Sequence, residues 1–478
     1  MIPDEAEGQG VVARAQVTAP PQERQRPPGQ PGTPGRPRSA GGVGAALRRF
    51  RLTEFQLLVV PSLMAVVGLL TIFLVPRGET SFSWRDIWVS LAYVLLLFGL
   101  NLSFSAMGFR GDQLLLPIVA TMAGLGLIVI QRLHPILARR PGLGGISQRQ
   151  VLYLALGLLM MWATVALFHQ LHLLRRYKYL LALGAIGLMV LTMVVGTEVN
   201  GAKLWIVLGP VQFQPTEIVK LLLVFFMAAY LDDKRELLAS DYRLGPLRLP
   251  PIPYLLPLAL MWGLSLLIVA AQRDFGSALL FFSIFLVMLY VASGRLLYVI
   301  VGLLLFFAGS YAIYRVAPHV AARVTIWLNP WSDPLESGYQ IIQSQYALAS
   351  GGLFGTGLGY GSPGYVPEIQ TDFVFVAIGE ELGLLGTLGV LALYLLLTYR
   401  GLYIALRAAD GFARLVAVGL TTILAAQALI IVGGVVRLIP LTGITLPFIS
   451  YGGTSLLTNF ILVGLLLYIS DPERGALR

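Results

Sequence analysis

The sequence predicts an all-α, polytopic membrane protein of about twelve transmembrane helices with one large extracellular loop. Three observations carry that prediction. Apolar residues make up 56% of the 478 residues and charged residues only 12%, far less charge than a soluble chain of this size carries. Apolar runs of about 20 residues, the length that crosses a bilayer as helix, recur along the whole chain. One polar stretch rich in glycine and aromatic residues, 316–371, interrupts the series and is too long for a simple connector.

Taken in order, residues 1–50 are rich in Pro, Gly, Gln and Arg and contain no apolar run. They read as a disordered tail without the apolar core of a signal peptide. Spans follow at 56–75, 87–106, 114–132, 151–168, 177–196, 215–232, 253–271, 275–293, 296–315, 372–398, 412–436 and 452–470. An even number of crossings puts both termini on one side. Basic residues flanking the spans favour the tail's side by about two to one, which predicts a cytoplasmic tail and a cytoplasmic 471–478. The 316–371 loop then faces outward, with Lys203 and Asp274. Arg132, Arg139, Arg140 and Arg149 strain this assignment because they crowd one outer loop. Inside the long loop Ile342, Tyr346 and Ala349 recur at helical spacing, which predicts a short amphipathic helix lying on the membrane surface. Pro330 and Pro334 precede it and glycines from 351 to 361 follow.

Composition also excludes chemistry. There is no cysteine, so disulfides, thiolate metal sites and cysteine nucleophiles are ruled out. The four histidines, His134, His169, His172 and His319, are too scattered to read as a zinc site. The net charge of +10 follows from the loop arginines and needs no nucleic acid partner. No Walker A, GxSxG or HExxH sequence is present.

The residues that suit chemistry gather at the outer ends of spans. Asp372, in VPEIQTDFVF, stands where the polar loop re-enters an apolar run. It reads either as a helix N-cap, with Thr371, or as a partly desolvated carboxylate suited to general base work. Glu217 and Lys220 are three apart, on one helical face, where they can pair with each other and either lock the helix packing or line a cavity; Pro215 suits the first turn of that helix. Asp274 opens another span beside Arg273, as a cap, an ion pair or a site acid. Glu380 and Glu381 lie inside a span, where at least one needs a partner in the bundle. PLTGITLPFISYGGTSLL, with Pro440, Gly443, Pro447, Gly452 and Gly453, reads as a broken helix lining a polar cavity. Lys203, Arg273, Arg323 and Arg437 are the outer-face cations suited to a phosphate.

Six motifs in order resemble one known family. They are GAKLWI at 201, QPTEIVKL at 214, QRDFGS at 272, LNPWSDPLESGYQIIQSQYALASGGLFGTGLGYG at 328, VPEIQTDFVFVAIGEELG at 366 and LPFISYGGTS at 446. Over roughly 110–470 the chain resembles the SEDS proteins, the RodA and FtsW group of cell-wall polymerases, RodA more than FtsW. The resemblance implies a peptidoglycan glycosyltransferase that polymerises lipid II outside the cytoplasmic membrane for elongation and shape, with a class B penicillin-binding protein as partner. It implies a ten-helix core at 109–470, so the two helices within 51–108 are an addition. It makes Asp372 the catalytic residue, Glu217 and Lys220 a buried pair, and Asp274 an outer-rim acid. Gln340, Ser344, Glu368, Gln370, Thr371, Ser450, Gly452 and Gly453 fall in the matching motifs as substrate-binding or supporting residues.

Departures from the family pattern bear on mechanism. Gln370 stands where many members have His, Leu204 where an Arg often precedes Trp205, and Gln345 and Thr356 where the loop is often basic. The cation facing a polyprenyl diphosphate leaving group is then Arg323, Lys203 or a divalent metal ion, Mg or Mn. A flexible glycine loop is expected to close over the site. The rivals are a lipid-precursor flippase or secondary transporter and the division-specific polymerase. The motif series, and the acids mapping to one face instead of mid-membrane, favour the enzyme.

Overall fold

The computed structural model describes residues 50–472 apart from 76–86, 139, 141–142, 169, 200–201, 210, 240–241, 245–246 and 250–251. The expected tail up to residue 49, Arg139, His169 and the stretch from 473 lie outside the described residues.

Long apolar runs form helices because a helix satisfies every backbone polar group internally, which lipid cannot do. The chain opens with α1 (Leu52–Leu74) and α2 (Trp88–Ala106), then α3 (Leu115–Leu137) and α4 (Ile146–Leu167). A short α5 (Leu171–Arg176) leads into α6 (Lys178–Val195). Then come strands β1 (Thr197–Val199), β2 (Ala202–Leu208) and β3 (Val211–Phe213), followed by α7 (Pro215–Asp233) and α8 (Arg235–Ala239). The hairpin β4 (Tyr242–Leu244) and β5 (Leu247–Leu249) precedes α9 (Ile252–Ala271), α10 (Phe275–Ser293) and α11 (Leu296–Val316). The long connection holds α12 (Pro318–Leu328) and α13 (Tyr339–Gly351), and α14 (Val374–Arg407), α15 (Gly411–Val435) and α16 (Gly453–Ser470) complete the bundle.

Among the described residues eleven helices are long and apolar enough to cross a membrane. α7 is the remaining crossing expected from the sequence. It carries Glu217, Lys220, Asp232 and Asp233, yet is buried along most of its length, packed on α6 and α15. Helices α3, α15 and α16 form the enclosed centre, whereas α11 buries only Tyr298. Alternation of the crossings brings the starts of α7, α10, α14 and α16 to one face, with α12 and α13.

Three expectations need correction. The β1–β2–β3 antiparallel meander, with Glu198 opposite Lys203 and Ile206 opposite Phe213, was not foreseen. Its signal was present in Trp205–Val207, an aromatic followed by two β-branched residues, and in the turn dipeptides Asn200-Gly201 and Gly209-Pro210. The 316–371 helix forms as α13, but Ile341, Ile342, Ser344 and Ala347 are its buried face while Tyr346 is exposed. Through that face it packs on the head of α14, with Leu348 against Gly379. The two helices within 51–108 pack onto the rest of the bundle, α1 along α3, and α2 against α1 and α4. Finally, α3 does not stop at Arg132 but continues to Leu137, because that arginine is buried and paired inside the protein.

Candidate active site

Asp372 sits in a tight turn just before α14. The Glu368 carbonyl accepts the N–H groups of Thr371 (3.2 Å), Asp372 (3.1 Å) and Phe373 (3.4 Å), and Glu368 itself has φ +50°. Ser450 Oγ donates to the Thr371 carbonyl at 2.5 Å and accepts from Leu446 N–H at 3.0 Å. Tyr451 N–H donates to the Gln370 carbonyl at 2.8 Å. From α13, Gln340 Nε2 donates to the Pro367 carbonyl at 3.2 Å. The turn is therefore held by the 446–451 segment on one side and by α13 on the other.

The N-cap reading of Asp372 fails. Phe373 occupies that position in α14, with no side-chain cap bond. The Asp372 carboxylate instead faces Gly443, where a Cβ would stand 3.7 Å from Oδ2. Burial pushes its carboxyl up to about 7, opposed by the Thr371 hydroxyl, reinforced by the negative charge of Glu368 and opposed again by Arg323. Glu368 accepts from Gln370 Nε2 at 3.0 Å, while Thr371 Oγ1 donates to the Glu368 carbonyl at 3.3 Å. The absent imidazole is thus replaced by an amide that turns toward Glu368.

Arg323, on α12, is the cation that acts on both acids of the rim, Asp372 and Asp274. Its guanidinium is exposed, lies 5.6 Å from the Phe275 ring centre and donates weakly to the Leu441 carbonyl at 3.4 Å. Asp274 caps α10, accepting from Ser277 N at 3.0 Å and Ser277 Oγ at 2.6 Å. Its carboxyl is held above the usual range by burial, with the Ser277 bonds opposing and the Glu217 charge adding. The cap alternative for Asp274 is the one the structure adopts.

Glu217 and Lys220 form the expected pair, Nζ to Oε2 at 2.5 Å. Lys220 also donates to Gln427 Oε1 and Asn459 Oδ1, both at 3.2 Å. These two partners escaped the sequence reading; the available signal was a lone amide in each of two apolar runs. Gln427 Nε2 passes the network to the Thr445 carbonyl at 3.0 Å, and Thr445 Oγ1 to Ser455 at 2.8 Å. Through it the buried pair fixes the 440–452 segment that faces Asp372. Gly452 and Gly453 serve packing there, against Thr445 and the Tyr153 ring.

Of the two glutamates within α14, Glu381 is the one with the ionic partner. Arg132 Nε meets Glu381 Oε1 at 2.9 Å, both side chains buried, and Arg132 Nη2 donates to the Gly361 carbonyl at 3.1 Å. Ser362 N–H donates to Glu380 Oε1 at 2.6 Å, and Gly359 N–H to Glu381 Oε2 at 2.9 Å. Thr356 and Gly357 N–H groups bind the carbonyls of Glu380 and Glu381. The glycine loop is therefore pinned to the head of α14, not hanging free above it. Gly383, with φ +69° and ψ −164°, breaks α14 at this point. A side chain there would collide with the backbone of Leu353 and Gly355, so only glycine fits.

Other expected site residues lie elsewhere. Lys203 is exposed on β2, and the charges acting on Asp372 are Glu368 and Arg323 instead. Arg437 is occupied, donating to the Trp327 carbonyl at 2.8 Å and closing the end of α12. Ser344 is fully buried and donates within α13 to Ile341. Arg132 is not an outer-loop charge; Arg140 donates to the Gly364 carbonyl and Arg149 to the Gly144 carbonyl. Among the described residues no three His, Asp or Glu side chains converge to hold a metal ion. A Mg or Mn ion held by one or two carboxylates together with a substrate's phosphates needs no such cluster.

Residues 112–475 match the family model FtsW/RodA/SpoVE, described as cell cycle protein. The chain belongs to the FtsW/RodA/SpoVE family. It is 39% identical over 438 residues to the peptidoglycan glycosyltransferase RodA of Mycobacterium tuberculosis, covering 90% of this chain and 92% of that protein. It is 38% identical over 332 residues to stage V sporulation protein E of Bacillus subtilis, covering 69% and 87%. Its fold is similar to the crystal structure of Thermus thermophilus RodA (TM-score 0.55, 30% identity, 77% of this chain and 98% of that one). It is also similar to a chain of a peptidoglycan synthase complex that coordinates polymerization and crosslinking (TM-score 0.62, 31% identity, 76% and 98%). α1 and α2 precede the residues that the family model matches.

Proposed function

We propose that this multi-pass membrane protein is a RodA-type peptidoglycan glycosyltransferase that joins lipid-linked disaccharides, lipid II, into glycan strands. Asp372 accepts the proton of the acceptor's 4-hydroxyl as that oxygen attacks the donor's anomeric carbon. The bond to the polyprenyl diphosphate breaks with inversion, and Arg323 stabilises the charge developing on the leaving group. Asp274 and the Glu217–Lys220 pair keep α10 and the 440–452 segment in place around the reacting atoms. The prenyl tails remain in the membrane beside the helices.

One observation carries this reading. A carboxylate raised toward neutrality by burial stands in one cluster with an exposed arginine that acts on it electrostatically. This suits a base and an anion-stabilising cation working on neighbouring atoms. The basic-residue bias favours cytoplasmic termini, with the site on the outer face of the cytoplasmic membrane. Likeness to a chain of a synthase complex supports a crosslinking partner of the class B penicillin-binding type.

The test is polymerisation of purified lipid II by the purified chain, with and without such a partner. Asp372→Asn and Asp372→Ala are expected to lose strand formation while still binding lipid II. Normal turnover by either variant would overturn the assignment.

A further inference from the structure

The solved relatives align along nearly their whole length with about three quarters of this chain, and the family match begins at residue 112. α1 and α2 lie before it, and the structure gives them a place in the machinery.

At one end of α1, Arg51 is buried. It pairs with Glu54 at 2.5 Å and donates to the carbonyls of Phe109 (3.2 Å), Gly111 (3.0 Å) and Asp112 (2.7 Å). Its guanidinium lies 5.0 Å from the Phe109 ring centre, and Asn101 of α2 donates to Glu54 at 2.8 Å. The Asp112 carboxylate in turn binds Arg400 near the foot of α14. At the other end Val75, just past α1, touches Gly359: a Cβ on that glycine would stand 3.2 Å from Val75 Cγ2. Gly359 has φ +92°, and its N–H binds Glu381 in the head of α14. Between these ends α1 lies so close to α3 that a Cβ on Gly68 would strike Ile128 at 2.6 Å. α3 also supplies Arg132, the partner of Glu381.

From these contacts we infer that α1 and α2 form a built-in brace for the active site. α1 grips the foot of α14 through Arg51 and Asp112. Val75 is a positioning residue that acts through Gly359 and Glu381 on the head of α14, and so on Asp372. The inference rests on the reading of Asp372 as the base. Its mechanical part does not.

The experiment uses the full chain. Val75→Ala removes the contact, and Arg51→Gln with Glu54→Gln releases the foot without leaving a lone buried charge. Both are compared with wild type by hydrogen exchange over 352–373, by thermal unfolding, and by KM and kcat for lipid II polymerisation. In folded protein with an unchanged unfolding midpoint, Val75→Ala is expected to speed exchange in 352–373. It is expected to lower kcat roughly three- to thirtyfold at unchanged KM, as small displacements of a reacting group do. The double variant is expected to show the same split. Unchanged exchange overturns the brace. Faster exchange with unchanged kcat overturns the positioning role. If Asp372→Asn keeps full activity, the base assignment falls, and the exchange result still judges the brace.

Discussion

Arg132 and Glu381 meet at 2.9 Å although 249 residues separate them in the chain. Arg132 also holds Gly361, and Glu381 holds Gly359, so one ion pair ties α3, the glycine loop and the head of α14. Breaking it on one side leaves an uncompensated buried charge. Arg132→Met should cost about 3–5 kcal/mol, read as a lowered unfolding midpoint in detergent. Arg132→Met with Glu381→Gln should recover part of that loss. A single variant as stable as wild type would contradict the account.

The proton affinity of Asp372 gives a pH prediction. A base must be ionised, and burial raises this carboxyl to about 7, so kcat/KM should rise with pH and level off above about 7. Below that point it should fall about tenfold per pH unit. Glu368 acts in the raising direction, so Glu368→Gln should move the limb to lower pH. A pH-rate profile without a limb near neutrality would argue for another proton acceptor.

Arg323 acts in the opposite direction. Arg323→Gln should shift the same limb to higher pH, since the cation favours the ionised carboxylate. It should also lower kcat by roughly 10²–10³, the usual effect of removing one group that stabilises developing charge. Arg323→Lys should restore part of the rate, because it returns the charge without the planar fork. Equal loss in both variants would point to packing on Phe275 instead.

Lys220→Met should destabilise by about 3–5 kcal/mol by stranding Glu217. Pairing it with Glu217→Gln should return most of the stability but less of the activity, because Gln427 and Asn459 lose the group that organises the 440–452 segment. Unfolding midpoints and turnover measured on the same preparations separate the two effects.

Much of this was legible from residues alone, and for physical reasons. Spans announce themselves through uninterrupted apolarity, and the three-residue spacing of Glu217 and Lys220 announces their pairing. What the chain hid were partnerships between distant segments. Arg132 read as the end of a span because its acid lies far away in sequence, and for the same reason Glu380 and Glu381 could not be told apart. Arg437 and Arg323 are alike as letters; only folding shows that one closes a helix and the other stays exposed. The head of α14 misled in the same way, since Thr371 and Asp372 have the composition of a cap but the turn beginning at Glu368 turns the carboxylate aside.

The interruption at Gly383 separates two tasks that an unbroken rod would fuse. Beyond it the stem of α14 follows its own course and is tied at its foot to Asp112 through Arg400. The short head stays registered to the glycine loop through bonds at Thr356, Gly357 and Gly359. A side chain at 383 should therefore displace the head from the glycine loop while the anchorage at the foot stays in place.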